Sequence, residues 1–289
     1  MTGKKVSGYA GHGPQAQWLN IFIKYKGEPD FWDNDGDGLV RNKKKDMFRD
    51  FLKDAGVVAY NKNAPGDKYT KYIPTDFGKT IIKLGANNDT AWALMLCNLV
   101  YTPDYNWYTL NLDLNRIYTP EELKLLLKDE LPNDASDHGK ENVINALKIA
   151  LIKTPFGTGK IFGQADVDIK TDSGGNEKIK LNSLMRVAWD NPIPEVILYS
   201  LYKFAEACGT EEDKFSHYQF SLSNLLDDTI ERDGVSPTRI FGLDREIMTR
   251  ILNALSINYP ALINASFTLG LETITLRDNK TSADVLAVF

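Results

Sequence analysis

Residues 41–82, RNKKKDMFRDFLKDAGVVAYNKNAPGDKYTKYIPTDFGKTII, constrain the fold more than any other stretch of this chain. At 100° per residue, Met47, Phe48, Phe51, Leu52 and Ala55 fall on one face of a helix over 42–55. Lys45, Arg49 and Lys53 line its far side at i+4 steps, beside a parallel line of Asp46, Asp50 and Asp54. Gly56 is placed to end the helix. Residues 57–60 read as a strand, NKNAPGD as turn chemistry and 68–73 as the returning strand. Thr75, three residues ahead of Gly78, opens another helix. Helix, strand, polar tip, strand and helix is the order of the second half of a winged helix, an architecture often used on DNA.

The same stretch is the basic part of an acidic protein. From 38 to 83 there are eleven Lys or Arg against five Asp, a net of +6, while the whole chain carries −5. The remainder therefore sums to −11, which argues against non-specific coating of nucleic acid and for a local contact. With 43% hydrophobic and 25% charged residues among 289, the composition is that of a soluble globular protein with room for two or three domains. No apolar run approaches the ~20 residues that span a bilayer. The two early lysines have no apolar stretch behind them, as a signal peptide would require. A cytoplasmic protein with no membrane partner is expected. Cys97 and Cys208 lie in apolar helical patterns and read as buried free thiols. With His12, His138 and His217 scattered, they offer no metal-ligand spacing.

Upstream, Trp18, Ile21, Phe22 and Tyr25 make one stripe of a helix over 15–26. Downstream, helices are expected at 90–101, from the Thr119-Pro-Glu-Glu start, and at 139–153, followed by a hairpin, IFGQADVDIK–SGGN–EKIKL. A third round has helices at 195–207, 220–228 and 243–259, then a hairpin within 262–277. The expected fold is mainly α with small β-wings (α+β), in tandem winged-helix-like modules at 1–88, 89–190 and 191–289. No repeated sequence motif underlies the three rounds.

Three places carry candidate chemistry. Asp33-Asn-Asp-Gly-Asp-Gly opens like a calcium loop, with Asp33, Asp35 and Asp37 able to converge on Ca2+ and a glycine at the sixth position. Its twelfth position, where a closing Glu belongs, is Lys44; the alternative is an acidic loop leading into a helix N-terminus. His12, between Gly11 and Gly13, has no second His or Cys to make a catalytic pair and reads as a structural or interface residue. The basic segment would meet duplex DNA through Lys43, Lys44, Lys45, Arg49 and Lys53 from the helix and Lys62, Lys68 and Lys71 from the wing. The aspartate line speaks against a helix filling a groove. Its alternative is a solvated helix laced with ion pairs worth about 0–1 kcal/mol each, used for protein contact. Aromatics between 92 and 118 (Trp92, Tyr101, Tyr105, Trp107, Tyr108, Tyr118) suit core packing, or a stacking or docking surface. Residues 226–289, with six basic and nine acidic residues, suit protein contact or a structural role.

An ordered series of strings adds a resemblance. Gly11-His12 and Trp18-Leu19 are followed by N-K-K-K-D-M-F-R-D-F-L-K-D-A-G, T-D-F-G and A-W-A-L-M-L. Then come T-P-F-G at 154–157, Y-S-L-Y-K-F-A-E at 199–206, S-P-T-R-I-F-G-L at 236–243 and a late D-V-L. Along most of its length the chain resembles the bacterial domain-of-unknown-function family 4007. That resemblance implies an accessory protein, encoded beside enzymes similar to phosphoadenosine-phosphosulfate reductases in DNA-modification or phage-defence systems. The chain has no G-x-x-x-x-G-K-[ST] phosphate loop, and Ser173-Gly-Gly-Asn lacks the Asp-Ser of an adenylate-sulfate loop and fits a hairpin turn. The expected function is a non-enzymatic DNA-associated adaptor or regulator with a protein partner, the reductase-like enzyme. The alternative is a protein–protein scaffold with no DNA contact.

Overall fold

A computed structural model describes residues 8–28, 30–33, 43–66, 69–128, 137–172, 174, 177–209, 218–230, 232–267 and 272–289. It is a mixed α+β structure in which helices alternate with small antiparallel sheets.

The first part holds α1 (Ala16–Lys24), α2 (Asp30–Asp33) and α3 (Lys43–Asp54), then β1 (Val58–Tyr60), β2 (Tyr72–Pro74) and α4 (Asp76–Leu84). The apolar face expected of α3 is buried: Phe48, Phe51, Leu52 and Ala55 are each at most 1% exposed. Gly56 ends the helix at φ +77°, a left-handed backbone that glycine adopts without penalty. β1 and β2 pair antiparallel with Tyr60 opposite Tyr72. The returning strand starts later than its sequence suggests, because residues 69–71 turn first, with the Tyr72 amide donating to the Tyr69 carbonyl at 2.9 Å. Thr75 caps α4, its hydroxyl accepting from the Gly78 amide at 2.9 Å. Gly78 is there for space: a Cβ would stand 2.0 Å from the Val57 carbonyl oxygen.

Next come α5 (Asp89–Leu99), α6 (Pro103–Asn111), β3 (Ile117–Tyr118), α7 (Pro120–Leu126), α8 (Asp137–Lys153), α9 (Pro155–Thr158), β4 (Gly163–Thr171) and β5 (Glu177–Arg186). Thr119 and Glu122 close the capping box of α7. The last part holds α10 (Pro194–Cys208), β6 (Gln219–Ser221), α11 (Leu222–Leu226), α12 (Pro237–Phe241), α13 (Arg245–Asn258), β7 (Ile263–Ser266), β8 (Thr273–Leu276) and α14 (Ser282–Val285). The two later hairpins are as expected, but their sheets have three strands. β3 pairs with β5, and β6 with β8, giving the orders β3-β5-β4 and β6-β8-β7. In each, a strand of two or three residues ahead of the helices returns to the hairpin's last strand. So short a strand leaves no period-2 signal in the sequence.

A single cluster of buried apolar side chains contains residues from all three parts. α5, buried from Ala91 to Cys97, packs against α10. The aromatics of 92–118 belong to this interior. Trp92, Tyr105, Trp107, Tyr108 and Tyr118 are buried and Tyr101 is half-buried, so core packing accounts for them. Gly8–Gly11 forms a left-handed turn against α8, with φ of +42° at Tyr9 and +49° at Ala10. Two such residues each cost about 1–2 kcal/mol. The Gly8 amide donates to Asp104 Oδ1 at 2.8 Å and the Tyr9 hydroxyl to Asp54 Oδ2 at 3.0 Å, tying the turn to α6 and α3.

Arg186, at the end of β5, is 1% exposed. Its guanidinium donates to the carbonyls of Thr109 (2.7 Å) and Leu112 (3.1 Å) at the end of α6, and of Arg239 (2.5 Å) and Ile240 (3.4 Å) in α12. Burial pulls its pKa down to about 10, well above neutral, so the group stays charged. Arg239 reaches the same Thr109 carbonyl through Nε at 3.0 Å and the Leu110 carbonyl through Nη2 at 2.8 Å, while pairing with Asp228 at 2.8 Å. Two cations thus meet the negative end of the α6 dipole.

Two substitutions test these contacts by urea unfolding. Arg186→Met leaves buried carbonyls unpaired and should lower stability by about 3–5 kcal/mol. Gly78→Ala, which favours an isolated helix by about 1 kcal/mol, should here be net destabilising by about 1–3 kcal/mol through its clash with Val57.

Candidate nucleic-acid interface

The basic residues of the first part divide into two groups. Lys45 is 3% exposed, with Nζ 5.5 Å from the Tyr69 ring centre. Arg49 pairs with Asp46 at 2.9 Å and Asp50 at 3.0 Å, and its guanidinium lies 5.4 Å from the Tyr69 ring centre and 5.2 Å from that of Tyr72. Burial works against the Arg49 charge. The Asp50 hydrogen bond and the charges of Asp50 and Asp46 outweigh it, so its pKa lies above the ordinary arginine value. These two cations bind the helix to the hairpin through aromatic faces. In this conformation they are turned inward from any surface phosphate.

The second group is nearer the solvent. Lys53 and Lys62 are exposed and Lys71 is half-buried. Among the described residues Lys53 has one loose ion-pair neighbour, Asp50 at 4.0 Å. Lys62 and Lys71 have no ion-pair partner among the described residues. The aspartates expected to interrupt the basic face have specific work: Asp46 and Asp50 hold Arg49, and Asp54 accepts from Tyr9. Lys43 and Lys44 open α3, but their side chains lie outside the described residues, as does Lys68. Sequence reading passed over Tyr60, Tyr69 and Tyr72. Three tyrosines within thirteen residues of a basic hairpin were the available signal.

Of the calcium-type loop, Asp35 and Asp37 lie outside the described residues, and Asp33 ends α2 with its side chain outside them. Among the described residues no group of three or more His, Cys, Asp or Glu is placed to hold a metal ion. His12 is half-buried just after the Gly8–Gly11 turn, its amide donating to the Tyr9 carbonyl at 3.0 Å. His138 is exposed on α8; His217 and Ser173 lie outside the described residues. Cys97 is buried and Cys208 half-buried, both unpaired. Burial pushes the Cys97 thiol up to about 12 and raises Cys208, which makes both poor nucleophiles. Among the described residues no helix is long and apolar enough to cross a membrane. A cleft of about 670 Å³ opens beside the end of α6, lined in part by Leu110, Asp228, Ile230, Arg232 and Arg239. Both its arginines are engaged by backbone carbonyls, Arg232 with those of Asn224 and Asp227.

Two solved structures share this fold. A magnesium-ion-bound crystal structure of SspB superposes with a TM-score of 0.64 and a second SspB crystal structure with 0.62, each at 12% sequence identity. Both alignments cover 99% of this chain, and 88% and 86% of the SspB chains. At that identity the likeness is one of fold. No family model and no curated protein matches the chain.

The division of the cations predicts opposite responses to alanine. Arg49→Ala should cost about 1–3 kcal/mol in thermal or urea unfolding, as its charge-assisted bonds and its packing on the two rings disappear. Lys62→Ala should stay within about 0.5 kcal/mol of the parent.

Proposed function

We propose that the protein is a non-enzymatic DNA-associated adaptor whose first helix–hairpin unit grips the phosphate backbone. The observation that carries this reading is the set of exposed Lys53 and Lys62 with half-buried Lys71 on the basic segment of a chain whose remainder is strongly acidic. Phosphate contacts of this kind fix position on a duplex without reading its sequence. The strand orders support taking the two later parts as winged-helix-like modules: in each of their sheets, a strand ahead of the helices joins the last strand of the following hairpin. The family resemblance supports placing the adaptor beside a reductase-like enzyme of a DNA-modification or phage-defence system.

A second reading, a protein–protein scaffold with no DNA contact, is favoured by the exposed apolar side chains of the acidic body. Ile117, Leu125 and Ile257 are 63%, 69% and 78% exposed. The two readings separate on duplex binding measured across salt concentrations. A phosphate-gripping surface loses affinity steeply as salt rises. Changing Lys53, Lys62 and Lys71 to Glu should flatten that slope by about 0.9 for each phosphate that is no longer neutralised. Retention of the duplex that ignores both salt and these changes would remove the basic unit from the interface. Co-purification of an enzyme partner without any DNA retention would favour the scaffold.

A further inference from the structure

Among the described residues, Tyr60 is the only aromatic side chain among the exposed large apolar ones, at 54%. It ends a ladder that runs outward from the core. Trp32 stacks on Tyr69 at 6.2 Å, Tyr69 and Tyr72 flank the Arg49 guanidinium, and Tyr60 meets Tyr72 at 5.4 Å with the rings inclined by 62°. Each contact restrains the next, so Tyr60 is held in place by a chain that begins in the buried Trp32. The cross-strand pairing of Tyr60 with Tyr72 keeps both rings on one face of the hairpin. At the open end beside it, the Asn61 amide donates to the Lys71 carbonyl at 2.8 Å, which sets Lys62 and Lys71 next to the tyrosine in the backbone.

We propose that this hairpin end takes an unstacked nucleotide, with the base on the Tyr60 ring and the flanking phosphates on Lys62 and Lys71. A half-exposed ring next in the backbone to two lysines that have no ion-pair partner among the described residues fits the two parts of a nucleotide: an apolar π-face and an anion. In an intact duplex every base face is covered by its neighbours, so the ligand that uses the ring is a single strand, a gap or a frayed end. This inference rests on the DNA reading above and narrows the form of DNA that the same unit prefers.

The test uses the full chain with a single-stranded DNA oligonucleotide carrying one 2-aminopurine, and with the duplex of the same sequence. Binding of the single strand should quench the 2-aminopurine fluorescence as the base stacks. Tyr60→Ala should weaken single-strand affinity about tenfold and abolish the quench, while Tyr60→Phe keeps both. Duplex affinity should change less than about twofold in either variant. Because Tyr60 is half-exposed, both variants should fold, which thermal melting verifies. Equal single-strand affinity in Tyr60→Ala and parent, or an equal drop in Tyr60→Phe, overturns the stacking site and leaves the duplex reading standing. Failure of the parent to bind either form of DNA overturns both.

Discussion

A buried guanidinium with no ion-pair partner among the described residues is the constraint on which the arrangement of the two later parts depends. Arg186 sits where β5 ends, and the charge is tolerable there only because carbonyls from two helices converge on it. Removing such a charge from water is expensive, and the carbonyls offset that cost at Nη1 and Nη2, while the buried Nε has no hydrogen-bond partner among the described residues. The end of α6, the end of β5 and the body of α12 are therefore held in register by one group. Arg239 meets the same helix end from the solvent side, with Asp228 balancing its charge. The buried cluster that contains residues of all three parts supplies the non-directional attraction, and this polar junction supplies the geometry.

The first helix–hairpin unit follows the same logic with a different partner. Arg49 is neutralised by two aspartates on its own helix and lies against two tyrosines from the hairpin, so its charge is used to join helix to hairpin. Lys45 is buried against the same Tyr69 ring. Among the described residues, what the segment offers outward is consequently narrower than its net charge implies: a few lysines around the hairpin and a single half-exposed tyrosine. Overall charge describes attraction at a distance, whereas contact depends on which cations remain uncommitted.

Helices α3, α8, α10 and α13 were legible because their apolar periodicity, glycine stops and caps act within a few residues. The Thr75 cap and the Thr119–Glu122 box are local hydrogen bonds and could be placed from spacing alone. The short strands Ile117–Tyr118 and Gln219–Ser221 could not, since a pairing of two or three residues is decided by the distant strand that accepts it. α6 was missed for a related reason. It is buried on several sides, so its apolar residues form no stripe.

Sequence alone determined the mixed α+β class, the helix–hairpin order of each part and the concentration of positive charge in 38–83, because these follow from short-range periodicity and composition. Tertiary structure alone decided that Lys45 and Arg49 turn inward while Lys53 and Lys62 face water and Lys71 stays half-buried. It also decided that the aromatics of 92–118 fill the interior while Tyr60 meets solvent. The physical reason is that burial and cation–ring contacts depend on partners brought from across the turn or from other helices. Tyr69 reaches Lys45, Tyr72 reaches Arg49 and α10 covers α5 only once the chain has closed on itself.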